Sequence, residues 1–67
     1  MDIATKAPSA KFRTIITDYF ALPPEECACD FDTLKEAVDC AVAALKEPLT
    51  GAKVFDDEGD SVAVPVA

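Results

Sequence analysis

Three cysteines, Cys27, Cys29 and Cys40, are the side chains of this sequence with the widest chemical repertoire. Together they can offer three thiolates to a zinc ion. A structural zinc takes four ligands, usually Cys or His. The chain has no His, so a carboxylate such as Asp30 would have to complete the set. The simpler reading makes them small, partly buried apolar side chains with ordinary thiols. Redox chemistry fits less well. The spacing Cys27-Ala28-Cys29 is not C-x-x-C, and no Lys or Arg adjoins it to lower a thiol pKa.

The run Asp56-Asp57-Glu58-Gly59-Asp60 invites a calcium loop. An EF-hand needs its Gly at the sixth position and a bidentate Glu at the twelfth. Here Gly59 stands fourth from Asp56, and Ala67 occupies the twelfth position. A solvated hairpin turn uses the same residue types. Hydrolytic chemistry needs a nucleophile beside a base, or two carboxylates facing across a pocket. The first lacks a His, and for the second the carboxylates lie on elements too few to wall a pocket of ordinary size, roughly 300 Å³ or more. Gly51 and Gly59 are the only glycines, too few for a phosphate-cradling loop. The expectation is a protein that is not an enzyme and holds no metal or cofactor.

The elements that must position these residues fit in 67 positions, enough for one small domain. Residues 1–8, ending in Pro8, are expected to be a flexible arm, and 9–67 a single domain. Phe12, Ile15, Ile16, Tyr19 and Phe20 share one helical stripe, which predicts a helix over 10–21 with Ser9 as N-cap. The alternative is a strand over 11–20, because Thr14-Ile15-Ile16-Thr17 is β-branched. A period of two, however, puts Asp18 on the face of Phe12, Ile16 and Phe20. Pro23 and Pro24 end the element either way, and residues 23–32 are then a connection anchored by Phe31.

Thr33-Leu34-Lys35-Glu36 is a capping box and starts a second helix. Leu34, Val38, Ala41 and Leu45 form its apolar stripe, with Ala37 and Ala44 beside them and Lys46 in the last turn. Val38 and Leu45 are expected to pack on Phe31, Val54 and Val62. Residues 52–56 and 60–66 flank Asp57-Glu58-Gly59 as a β-hairpin with a type I turn and a Gly bulge. That register pairs Val54 with Val62 and Ala52 with Val64, puts Val66 on the same face, and uses Pro65 to mark a free edge. The fold expected is α+β, two amphipathic helices packed on a C-terminal antiparallel hairpin (ααββ). With 11–20 as a strand it becomes βαββ.

Charge is the most distinctive property. The chain carries a formal −7. Residues 1–17 hold Asp2 against Lys6, Lys11 and Arg13, a net of +2, whereas 18–67 hold twelve acids against three lysines, a net of −9. Direct nucleic-acid binding and adhesion to anionic membranes both need the opposite sign. No apolar run is long enough to span a bilayer, and the first residues lack the apolar core of a signal peptide. With an odd number of cysteines, the expected compartment is the cytoplasm.

Asp32, Glu36 and Asp39 lie within about 60° of one another on the predicted second helix. Glu25, Glu26 and Asp30 in the connection, and Asp56, Asp57, Glu58 and Asp60 in the turn, extend the acidic surface. A solvated face explains any one of them; the aggregate repels itself and lowers stability. A rigid line of carboxylates can imitate a phosphate backbone and be steered into a basic groove. Size, these acids and the missing catalytic pair make the chain resemble, as a class, the small acidic inhibitors encoded by phages and mobile elements, anti-CRISPR proteins among them. That class shares no sequence signature, so the resemblance transfers no residue roles. It implies an inhibitor that occupies a basic, nucleic-acid-binding surface of a host protein complex. The competing expectation is an accessory subunit that docks through its hairpin edge and exposed aromatics such as Tyr19 and Phe55.

Without a fourth ligand beside Cys27, Cys29 and Cys40, the domain is predicted to melt at the same temperature with and without a strong chelator. Mass spectrometry of the reduced protein should count three free thiols. A chelator-induced drop of many degrees would show a structural metal.

Overall fold

A computed structural model describes residues 5–64. It contains strand β1 (Phe12–Asp18), strand β2 (Glu25–Phe31), helix α1 (Leu34–Leu45), strand β3 (Thr50–Phe55) and strand β4 (Ser61–Val62). The strands form one antiparallel sheet in the order β2-β1-β3-β4. The expected ααββ fold is therefore corrected to ββαββ. Among the described residues one helix is present rather than two, and the sheet gains two strands.

The first correction concerns residues 10–21. The helical stripe and the β-branched run compete, and the strand wins because β1 lies between two partners. Phe12 pairs with Phe31, Thr14 with both Cys29 and Val54, and Ile16 with both Cys27 and Ala52. Phe12, Thr14 and Ile16 face the helix and Arg13, Ile15 and Thr17 the other side, so the apolar residues do not alternate cleanly. Ile15, on the face away from the helix, is buried between its cross-strand neighbours Ala28 and Lys53. Asp18, which argued against a period of two, ends the strand in solvent, and its Oδ1 accepts the Phe20 N–H at 2.9 Å. Ser9 caps nothing; it lies in a turn closed by the Lys11 N–H on the Pro8 carbonyl. The second correction is β2, expected as a connection. Its sequence EECACDF has one strong strand former, Phe31, and pairing with β1 supplies what local propensity does not.

Helix α1 starts where the capping box places it. Thr33 is the N-cap and accepts the Glu36 N–H at 3.2 Å, while its own hydroxyl donates to Glu36 Oε1 at 2.9 Å. Lys46 is the C-cap, one position beyond the last turn. The face turned to the sheet is the expected one at Ala37, Val38 and Ala41, but not at its two leucines. Ala37 and Ala41 are fully buried, with Val54 opposite, and Phe12, Phe31, Val38, Ala52, Val62 and Val64 pack around them. Leu34 is exposed, and Leu45 lies outside this cluster at the half-buried margin. Two alanines let the helix approach the sheet closely. That approach is what allows the fully buried Thr14 hydroxyl to donate to the Ala37 carbonyl at 2.8 Å.

The hairpin register Val54↔Val62 is present, with Phe55 opposite Ser61. Gly59 takes φ 85° and donates to the Asp56 carbonyl, and Asp56 donates to that of Asp60. Strand β4 has only two residues, so no ladder joins Ala52 to Val64. Pro65 and Val66 lie outside the described residues. Residues 5–8 join the fold at this end: Ala7 is buried, and its N–H donates to the Asp56 carbonyl at 3.1 Å. Among the described residues no helix is long and apolar enough to cross a membrane.

The alanine contact predicts an inverted order of sensitivity along α1. Ala41→Leu should cost about 1–3 kcal/mol by overpacking the closest helix–sheet approach. Leu45→Ala, at the margin, should cost less than the ~2–5 kcal/mol of a fully buried leucine. Urea titrations of the two variants compare them directly, and a larger loss for Leu45→Ala would overturn this packing.

Candidate functional site

The topology sorts the acids by sheet end. Strand β1 runs from Phe12 to Asp18, so Glu25 and Thr50, which pair with Asp18, lie at one end of the sheet. Phe31, Phe55 and the 56–60 turn lie at the other. Seven strand residues separate the two ends by about 20 Å. The ten acids expected to act together therefore do not form one line.

Most of them have internal work. Asp30 faces its cross-strand partner Arg13 and accepts two hydrogen bonds, from Nε at 2.8 Å and from Nη2 at 3.1 Å. Asp32 precedes the helix and pairs with Lys11. Asp39 pairs with Lys35 one turn away at 2.8 Å, and Glu36 belongs to the cap. The helical row Asp32, Glu36, Asp39 is thus broken by geometry and largely neutralised. In the turn, Asp56 Oδ1 accepts the N–H groups of Glu58 and Asp60, each at 2.9 Å. Asp57 Oδ2 accepts the Ala10 N–H at 3.0 Å. Among the described residues, Glu25, Glu26, Glu58 and Asp60 make no side-chain ion pair or hydrogen bond. Glu25 and Glu26 lie at one end of the sheet, Glu58 and Asp60 at the other.

The Arg13 side-chain hydrogen bond, outweighing partial burial, holds the Asp30 carboxyl below its ordinary value, and Arg13 is raised in turn. Hydrogen bonding to Asp32 and to Asp39 raises Lys11 and Lys35. The two lysine pairs are well exposed, so solvent screens them, whereas Arg13–Asp30 is the most enclosed of the three.

The cysteines converge on the helix side of β2. Cys27 and Cys29 share one strand face, and Cys40 approaches from α1 closely enough to influence Cys29. Burial, then the neighbouring thiols Cys27 and Cys40, pushes the Cys29 thiol up, away from a reactive thiolate. All three are free thiols, and no metal-holding cluster occurs among the described residues.

The exposed apolar residues gather at the Glu25 end, and of them the sequence singled out only Tyr19 as an exposed aromatic. Tyr19 and Phe20, placed above on one helical stripe, are 54% and 67% exposed, and Leu22 and Leu49 are 93% and 57% exposed. The Tyr19 N–H donates to the Leu49 carbonyl at 2.9 Å, tying the 19–24 loop to the segment after α1. Leu49 holds φ 52°, a left-handed conformation that costs a branched side chain about 1 kcal/mol or more. Asp18, Glu25 and Glu26 lie at this end of the sheet, and Glu47 and Lys46 precede Leu49 in sequence. The signal available in the sequence was Leu22-Pro23-Pro24: a large apolar residue before two prolines cannot belong to a helix face or a paired strand.

Beside the patch lies a groove of about 400 Å³ lined by Ile15, Thr17, Tyr19, Lys53 and Phe55 of the sheet and reached by Leu45 at the end of α1. Its volume is in the range of ligand sites, larger than so few elements were expected to wall. Tyr19 forms one side by lying on Gly51, where an added Cβ would meet the ring at 3.1 Å. Among the described residues no nucleophile is hydrogen-bonded to a base there. Comparisons with family models, curated proteins and solved structures found no match.

The Asp30–Arg13 pair predicts an acid-sensitive term in stability. Because the folded pKa is depressed, the contribution is complete above the unfolded value, about pH 4. It is lost as pH falls through the folded value. Asp30→Asn should therefore lower stability at pH 7 and flatten its decline in the acid range, measured by thermal melts from pH 7 to 2. Parallel wild-type and variant curves would show that the pair contributes nothing.

Proposed function

We propose that this chain is a non-catalytic acidic interaction protein. It docks the 19–24 end of its sheet onto a protein whose surface offers an apolar hollow ringed by Lys and Arg. The observation that carries this is the clustering of Tyr19, Phe20, Leu22 and Leu49, all exposed, inside a border of acids. Exposed apolar residues of this size in one place mark a recognition surface. Aromatic anchors with a charged rim are the usual anatomy of protein interfaces. The rim requires a basic partner, and the strained Leu49 suits a residue retained for contact rather than stability.

The sharper form of the proposal is an inhibitor of a nucleic-acid-binding host complex, in the manner of anti-CRISPR proteins. Its support is the net charge of −7, which a basic nucleic-acid groove attracts. The second form is an accessory subunit with a constant partner, favoured by the apolar patch itself. Both place the chain in the cytoplasm, in keeping with its odd number of free thiols. Neither involves direct contact with nucleic acid or membrane. Salt separates them: capture of an electrostatic partner weakens steeply with ionic strength, and capture through apolar docking does not.

Phe20→Ser with Leu22→Ser should abolish capture of the partner and leave the circular dichroism spectrum unchanged, because both side chains are solvent-exposed. Leu49→Gly should raise the melting temperature, relieving about 1 kcal/mol of strain, while weakening capture. Affinity capture with mass-spectrometric identification, run at low and high salt, is the measurement. Retention of the same partner by the double variant would overturn the docking surface.

A further inference from the structure

The structure assigns β2 a role beyond completing the sheet: we propose that its outer edge receives an extended, basic segment of a partner protein as a fifth strand. In the order β2-β1-β3-β4, β2 is paired on one side only. Its seven residues pair with β1 in an unbroken register from Glu25↔Asp18 to Phe31↔Phe12, without a bulge. Among the described residues no backbone hydrogen bond from outside the sheet reaches 25–31. The four residues Glu25 to Ala28 are exposed. The opposite edge is blunted, since β4 has two residues.

Proteins protect a long flat edge with Pro, charged side chains, a bulge or a covering loop. Strand β2 has no Pro and no bulge; its protection is charge of one sign, Glu25, Glu26 and Asp30, which repels acidic strands and admits a basic one. Such an edge offers a row of backbone donors and acceptors to an added strand, which is a general mode of peptide recognition.

Charge selects the occupant. On the inner side, β1 already shows what this strand accepts: Arg13 lies opposite Asp30, and Lys11 reaches Asp32. The other half of β2 lacks that match. Glu25 lies opposite Asp18 and Glu26 opposite Thr17, and like charges directly across a ladder are destabilising. A strand bearing Lys or Arg beside Glu25 and Glu26 supplies the missing cations. A second copy of this chain does not. Full-length antiparallel self-pairing centred on Ala28 would set Glu26 against Asp30 twice, and parallel pairing would stack each acid on itself.

The test uses a short peptide of alternating Lys and Val, with an analogue N-methylated along one edge. The analogue has the same charge and cannot complete a ladder. Binding is followed by fluorescence anisotropy, and the site by backbone hydrogen exchange. The parent peptide should bind and slow exchange within residues 25–31. The N-methylated analogue should bind at least about tenfold more weakly, the equivalent of one or two lost hydrogen bonds. Glu25→Lys with Glu26→Lys should weaken the parent peptide similarly. Phe20→Ser with Leu22→Ser should leave it unchanged, so this proposal and the loop-docking surface fail separately. Equal binding of both peptides, absence of binding, protection confined to the 19–24 or 56–60 segments, or dimerisation through β2 in sedimentation would each overturn it.

Discussion

The hydroxyl of Thr14 on the carbonyl of Ala37 is the contact on which the arrangement turns. Thr14 is the middle of the central strand and has no exposed surface. A buried hydroxyl without a partner would cost several times what its hydrogen bond contributes. The bond therefore fixes both the height of α1 above the sheet and its rotation. At 2.8 Å from a helix carbonyl there is no room for a large side chain between the layers. Ala37 and Ala41 follow from that, and Val38 and Leu45 move to the flanks. The core is consequently small, and the larger apolar side chains of the 19–24 loop are left with nothing to cover them.

A second constraint is electrostatic. The basic first quarter of the chain and the acidic remainder look, in one dimension, like an asymmetry directed at a partner. In three dimensions part of it is internal. Lys11 and Arg13 leave the N-terminal segment to meet Asp32 and Asp30 across the β1–β2 ladder. Lys35 screens Asp39 on the helix surface. What remains available outward is narrower than the composition suggests, divided between the two ends of the sheet. At the hairpin tip, Asp56 and Asp57 are engaged in holding the turn and the 7–10 segment to each other. At the loop end, acids and exposed apolar side chains coincide, and that coincidence distinguishes a recognition surface from a solvated one.

The two surfaces proposed for binding have a common origin in β2. Its acids and small residues make a weak strand by propensity, and within the sheet it is hydrogen-bonded to β1 alone. The loop that returns the chain to it carries the exposed apolar residues. A strand paired on one side and bordered by unpaired carboxylates can accept a partner without rearranging the core, because Thr14 lies on β1, Val54 beyond it and Ala37 and Ala41 above the sheet.

Sequence by itself determined the features whose physics is local. The Thr33–Glu36 cap, the reach of α1 to Leu45, the Gly59 turn and the Val54↔Val62 register depend on neighbours a few positions away, and their residue types admit little else. Phe31 as a core anchor was legible for the same reason. Residues 12–18 were not, because their pattern satisfies a helical stripe and a β-branched strand at once. Only two flanking strands, drawn from positions far along the chain, decide between them. Strand β2 was invisible, since residues EECACDF become a strand through the pairing that β1 offers and through the charges of Lys11 and Arg13. The candidate site followed the same division. Acidity was evident from composition, but tertiary structure decided which acids are paired. It also decided that Tyr19, Phe20, Leu22 and Leu49 face water: exposure depends on what the rest of the chain can cover, and a helix seated close on its alanines leaves this end of the sheet open.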